Sequence, residues 1–143
     1  MSIQKKGSAQ WQGSLKKGKG SVSSESGALK EIPYGFNTRF EGQPGTNPDE
    51  LIGAAHARCY SMALSMILGE ENLEAESINT QATVTLEQDD NGFTISAIHL
   101  DTLARIPGAD QSTFETAANK AKEGCPVSKL FKANITLDAK LEN

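Results

Sequence analysis

Between Asn47 and Gly69 the chain is written as one long, largely apolar helix, and whatever fold it adopts must cover that helix. Asn47 can serve as N-cap, Pro48 fits the first helical position, and Glu50 stands three residues after Asn47 as in a capping box. From there Leu51, Ile52, Ala55, Cys59, Met62, Ala63, Met66 and Ile67 recur at helical spacing, and Gly69 supplies a stop. A helix over 47–68 is roughly 30 Å long and has few polar positions to show to water, so it belongs in an interior. With 143 residues the chain is expected to form one domain, 1–143, burying roughly two-thirds of its unfolded surface, which needs no disulfide to hold it.

The segments flanking the helix differ in character. The first block, about 1–40, is rich in Gly and Ser. Small-residue alternation around Ala9, Trp11 and Gly13, then Gly20 and Val22, predicts a glycine-loosened hairpin, and Tyr34, Phe36, Thr38 and Phe40 alternate as a third strand. This block is weakly patterned for stability on its own and calls for a partner surface. After the helix, residues 77–143 read as a hairpin, two helices and a final strand. Ile78, Thr80, Ala82, Val84 and Leu86 alternate with polar residues, Asp90-Asn91-Gly92 marks a tight turn, and Phe93, Ile95 and Ala97 begin the return strand. Ser112, with Glu115 three residues on, predicts a second capped helix that stops at Gly124. Cys125-Pro126 opens a short helix through Phe131, and Ile135, Leu137, Ala139 and Leu141 alternate in the final strand. Strands grouped in hairpins point to an α+β fold with mostly antiparallel pairing.

Charge excludes some partners. A net charge of −4 and a pI near 5.2 do not suit phosphate or anionic-membrane binding, which needs surplus Lys and Arg. Lys5, Lys6, Lys16, Lys17 and Lys19 stand apart in an acid-free stretch around Trp11, and read as solvent-facing lysines that discourage edge pairing. No apolar leader with a small-residue cleavage site opens the chain and no run of 18 apolar residues interrupts it, so the expectation is a cytoplasmic protein in which thiols stay reduced. Neither nucleic acid nor membrane is expected as a partner.

The two cysteines carry the chemistry. They lie 66 positions apart, far from the paired spacings of zinc ribbons or Cys-x-x-Cys redox sites. His56 and Cys59 share a helical face, but nothing in the spacing supplies the remaining metal ligands; His56 is expected to be a hydrogen-bonded interior histidine and His99 a surface residue. A structural bridge would be worth roughly 4 kcal/mol in the chain-entropy model, a gain seldom realised in a reducing compartment. Cys59 alone could be a small hydrophobe on the apolar face. Cys125, ahead of Pro126 at a helix start, faces unpaired backbone N–H groups that favour thiolate, and the dipole argument makes it the more acidic thiol. Cys59 would need a nearby cation. Arg58 points about 100° around the helix from it. Arg39, between aromatics in Asn37-Thr38-Arg39-Phe40, is the better candidate, with Glu50 as the carboxylate that could hold it; a surface salt bridge is the plainer alternative.

The same residues carry a family likeness. Thr46-Asn47-Pro48-Asp49-Glu50-Leu51-Ile52-Gly53-Ala54-Ala55-His56-Ala57-Arg58-Cys59, then Gly124-Cys125-Pro126-Val127-Ser128, with Tyr34-Gly35-Phe36-Asn37-Thr38-Arg39-Phe40 upstream, closely resembles the osmotically inducible protein C (OsmC) branch of the OsmC and organic hydroperoxide resistance (Ohr) proteins. The resemblance covers essentially the whole chain. It implies an intertwined homodimer in which long central helices are enclosed by sheets, the strands of 1–40 are completed by the partner subunit, and active sites lie at the interface. It also implies a thiol peroxidase. Cys59 would be the peroxide-attacking thiolate, Arg39 and Glu50 the pair that lowers its pKa and orients the peroxide, and Cys125 the resolving thiol, reversing the order given by the dipole. Phe40, Leu51, Ile52 and Met62 are the expected pocket walls, suited to organic hydroperoxides. A lipoyl-type dithiol is the implied reductant, with no metal or organic cofactor. Arg58 is larger than the family pattern suggests beside the nucleophile. Two other classes remain open: a non-enzymatic stress protein binding an apolar ligand in a dimer cavity, and a disulfide-responsive binding module.

Overall fold

Backbone pairing begins with strand β1 (Gly7–Gln12) antiparallel to β2 (Lys19–Ser24), and β2 in turn pairs with β3 (Ile32–Tyr34) to give a three-stranded sheet in the order β1-β2-β3. This computed structural model describes residues 1–130. Trp11 stands opposite Gly20 in the ladder, and Gly20 stands opposite Tyr34. A Cβ at Gly20 would lie 2.7 Å from the Tyr34 ring, so only glycine lets that ring cross the strand and approach Trp11, at 5.5 Å between centroids.

The third strand ends sooner than the Tyr34-to-Phe40 alternation predicts. Phe36–Phe40 forms a short helix, α1, in place of strand. Thr38 Oγ1 accepts a hydrogen bond from the Gly35 N–H at 3.1 Å and donates to the Gly35 carbonyl at 2.9 Å. A threonine that closes this local ring offers the backbone an alternative to the ladder, and the alternation of apolar residues is overridden. The turn back toward the long helix is pinned by Thr46, whose N–H and hydroxyl both donate to the Pro33 carbonyl.

Helix α2 runs Pro48–Glu70, two residues beyond the expected end. Asn47 caps it as expected, its Oδ1 accepting from the Glu50 N–H at 2.8 Å. Gly69 sits inside the helix, and the chain turns away at Asn72, whose φ of 58° lies in the left-handed region that Asn tolerates. By length and composition α2 also meets the measure for a membrane-crossing helix, with a mean hydropathy of 1.3; core helices of soluble proteins meet the same measure.

Contacts divide the chain into two compact units, Met1–Ile52 and Gly53 onward, and the division falls within α2. In the second unit, Gly53, His56, Tyr60, Leu64 and Leu68 form one buried stripe at three- and four-residue spacing. Tyr60, Leu64 and Leu68 pack with Ala117 and Ala121 of α3 (Gln111–Gly124), with Ile78, Leu100, Ile106 and Phe114 around them. The hairpin is long: β4 (Ser77–Asp89) and β5 (Gly92–Arg105) pair antiparallel from Ser77↔Arg105 to Asp89↔Gly92, with a register shift at Thr85/Leu86. Asp110, not Ser112, caps α3, its carboxylate accepting from the Thr113 N–H at 2.8 Å. Helix α4 covers Pro126–Leu130; Phe131 and the expected strand over 135–141 lie outside the described residues.

Candidate active site

The second unit brings the two thiols together. Cys125 precedes α4 and is fully buried, whereas Cys59, on α2 beside the buried stripe, is half-buried. The two thiols lie close enough for each to shift the other's ionisation, and the Val127 backbone N–H favours the thiolate of both. Ser128 Oγ donates to Cys125 Sγ at 3.6 Å, and His56 Nε2 lies 2.8 Å from that same Ser128 Oγ. His56 is thus the hydrogen-bonded interior histidine expected from the sequence, 5 % exposed. His99 is exposed, with Asp101 Oδ1 at 3.2 Å.

Electrostatics in this unit rank the thiols. Burial alone would push Cys125 up, but the Ser128 backbone N–H, the Cys59 thiol, the Ser128 hydroxyl and the Val127 N–H together bring it below the usual thiol value. Burial also pushes Cys59 up, and the charge on Cys125 adds to the rise, while the Val127 N–H and the Arg58 charge oppose it. The pair titrates as a unit, and the first negative charge is favoured on Cys125. That is the order the helix-start argument gives, and the reverse of the order implied by the resemblance.

Arg39 belongs to the first unit, and there its carboxylate is Asp49. Arg39 Nε reaches Asp49 Oδ2 at 3.2 Å and Nη2 reaches Oδ1 at 3.3 Å, a two-pronged fork. Glu50, expected in that role, is exposed. Consecutive helical residues diverge by about 100°, so the two carboxylates cannot both face α1. Glu50 already holds the capping-box position, which leaves Asp49 as the signal the sequence reading passed over. Arg39 also lies over the Phe40 ring at 5.5 Å, and Phe36 and Phe40 stand 4.8 Å apart.

These residues line a cleft of ≈ 270 Å³ walled by Trp11, Tyr34, Phe36, Arg39, Phe40 and Pro48. Of the other expected wall residues, Leu51 lines a second cleft of ≈ 180 Å³ with Ala9, Val22 and Tyr34, Ile52 is half-buried, and Met62 is 61 % exposed. Among the described residues no cluster of His, Cys, Asp or Glu could hold a metal ion.

Residues 40–140 match the model of the OsmC-like protein family. The chain belongs to the OsmC-like family. Its relatives within that family include the peroxiredoxin OsmC of Escherichia coli strain K12, 57 % identical over 143 residues and matched over the whole of both chains. The organic hydroperoxide resistance protein OhrB of Bacillus subtilis strain 168 is 33 % identical over 124 residues, 86 % of this chain and 88 % of OhrB. The crystal structure of B. subtilis OhrB superposes with a TM-score of 0.65 at 27 % identity, covering 90 % of this chain and 92 % of that one. The α+β architecture expected from the sequence is therefore the OsmC-like fold.

Proposed function

We propose that this OsmC-like chain is a cysteine-based peroxidase that reduces organic hydroperoxides to alcohols. The observation that carries the reading is the neighbouring Cys59–Cys125 thiol pair in a chain 57 % identical to a peroxiredoxin OsmC over its full length. Cys59 thiolate attacks the distal peroxide oxygen; an S–O bond forms, the O–O bond breaks, and the alkoxide takes a proton to leave as alcohol. Cys125 then attacks the sulfenic sulphur, an S–S bond forms, and hydroxide departs to become water. An external dithiol, of lipoyl type, reduces the disulfide through thiol exchange.

Cys59 is assigned the attacking role although burial raises it and Cys125 is the more acidic partner in the thiol pair. The activating cation in this reading is Arg39, held in a fixed fork by Asp49, with Phe40 and Leu51 as apolar wall. The working protein is a homodimer of single 1–143 domains with the active sites at the interface, the 1–40 strands completed by the partner, and it works in the cytoplasm.

Consumption of cumene hydroperoxide with dihydrolipoamide tests this. Wild type should turn over, Cys59→Ser should be inactive, and Cys125→Ser should stop at the sulfenic acid. Turnover that survives in Cys59→Ser would sink the assignment of roles.

A further inference from the structure

The thiol pair does not end at its two sulphurs. A chain of contacts leads from Cys125 Sγ to Ser128 Oγ at 3.6 Å and from Ser128 Oγ to His56 Nε2 at 2.8 Å, joining α4 to a point on α2 that is 72 residues away in sequence. Its direction follows from proton bookkeeping. Because the Ser128 hydroxyl donates its one proton to sulphur, its oxygen must accept from His56, which places the imidazole proton on Nε2. Burial favours the neutral imidazole. Ser128 therefore donates to Cys125 and His56 donates to Ser128, a relay that ends on Cys125.

We propose that Ser128 and His56 are positioning residues for the resolving step: a hydrogen-bond relay that holds Cys125 as the thiolate that attacks the Cys59 sulfenic acid. This rests on the peroxidase reading above and adds a division of labour to it. In the step concerned, the Cys125 thiolate supplies the electron pair of the new S–S bond, the S–O bond of the sulfenic acid breaks, and the oxygen leaves as hydroxide to be protonated to water. The Cys125 sulphur is oxidised and the Cys59 sulphur reduced. Since the relay ends on Cys125, its removal should slow this step without slowing peroxide attack by Cys59, whose ionisation is eased when charge on Cys125 is less favoured. Hydrogen bonds to a charged acceptor are the strong ones, while a less stabilised thiolate is a better nucleophile and returns part of the loss. The net effect is a slowing of roughly three- to tenfold. Among the described residues, the titratable and charged groups that bear on the titration are Cys59, Arg58 acting through Cys59, and His56 through Ser128, all from α2.

Rapid mixing with cumene hydroperoxide, with dimedone trapping of sulfenic acid and mass detection of the disulfide, reads the two steps apart. In Ser128→Ala the sulfenic acid should form no more slowly than in wild type and persist, its closure to disulfide slowed. Ser128→Thr, which keeps the hydroxyl, and His56→Gln, which keeps a donor near the Nε2 position, should restore most of the rate. A second arm needs no peroxide and no reagent: in a Cys59→Ser background, Ser128→Ala should shift the pH midpoint of the Cys125 thiolate ultraviolet absorbance upward by about one unit. Disulfide closure in Ser128→Ala as fast as in wild type, slowing of sulfenic acid formation instead, or an unmoved thiolate absorbance profile would each overturn the relay. A wild type that forms neither sulfenic acid nor disulfide would overturn the peroxidase reading, and the absorbance arm would still decide the relay.

Discussion

Asp49 and Glu50 show how much can turn on a single residue step along a helix. Asp49 grips Arg39 through both carboxylate oxygens and Glu50 faces solvent. If the fork serves the peroxidase, Asp49→Asn should lower kcat/KM for an organic hydroperoxide by about tenfold, the scale of one lost charge-assisted bond, and Glu50→Gln should stay within about twofold. Steady-state kinetics of the two variants decide between them; equal losses would remove the distinction. His56 carries a prediction of another kind. Burial lowers its pKa from 6.5, so below that pH the unfolded chain binds the proton more readily than the folded one. Stability should therefore fall as pH drops from 6.5 toward the lowered folded value and level off beyond it. The thermal midpoint measured across that window should fall less steeply in His56→Gln than in wild type.

At the scale of elements, legibility followed the strength of the local pattern. The long helix was readable because cap, first-turn proline and periodicity agree, and the stripe that it buries is the one at three- and four-residue spacing. The hairpin was readable through Asp90-Asn91-Gly92. The α1 segment was not, since five residues that alternate like a strand are bent into a helical turn by one threonine hydroxyl. The site divided in the same way. Both thiols and Arg39 stood out by their settings, but the Ser128–His56 contact joins residues 72 apart and leaves no local trace. Leu64 and Leu68 are fully enclosed, and Leu64→Ala or Leu68→Ala should each cost about 2–5 kcal/mol in chemical denaturation. A loss under about 1 kcal/mol would mean that the stripe is not the core of the unit.

For the molecule as a whole, α2 carries apolar residues beyond the stripe it buries. Its buried stripe is matched by exposed apolar residues, with Met62 at 61 % and Met66 at 64 % exposure. In the homodimer proposed above such residues are covered. Met62→Glu combined with Met66→Glu should then convert the dimer to monomer in sedimentation velocity, with the secondary structure kept in circular dichroism; a wild type that sediments as a monomer would refute the assembly. The full enclosure of Cys125 beside the half-exposed Cys59 bears on traffic with the outside. Once the two are bridged, only one sulphur of the disulfide can be approached in line by a thiol arriving from solvent. Reduction thus acquires a fixed sense: the mixed disulfide forms on Cys59, Cys125 is the leaving thiolate, and the donors gathered around Cys125 suit it to depart.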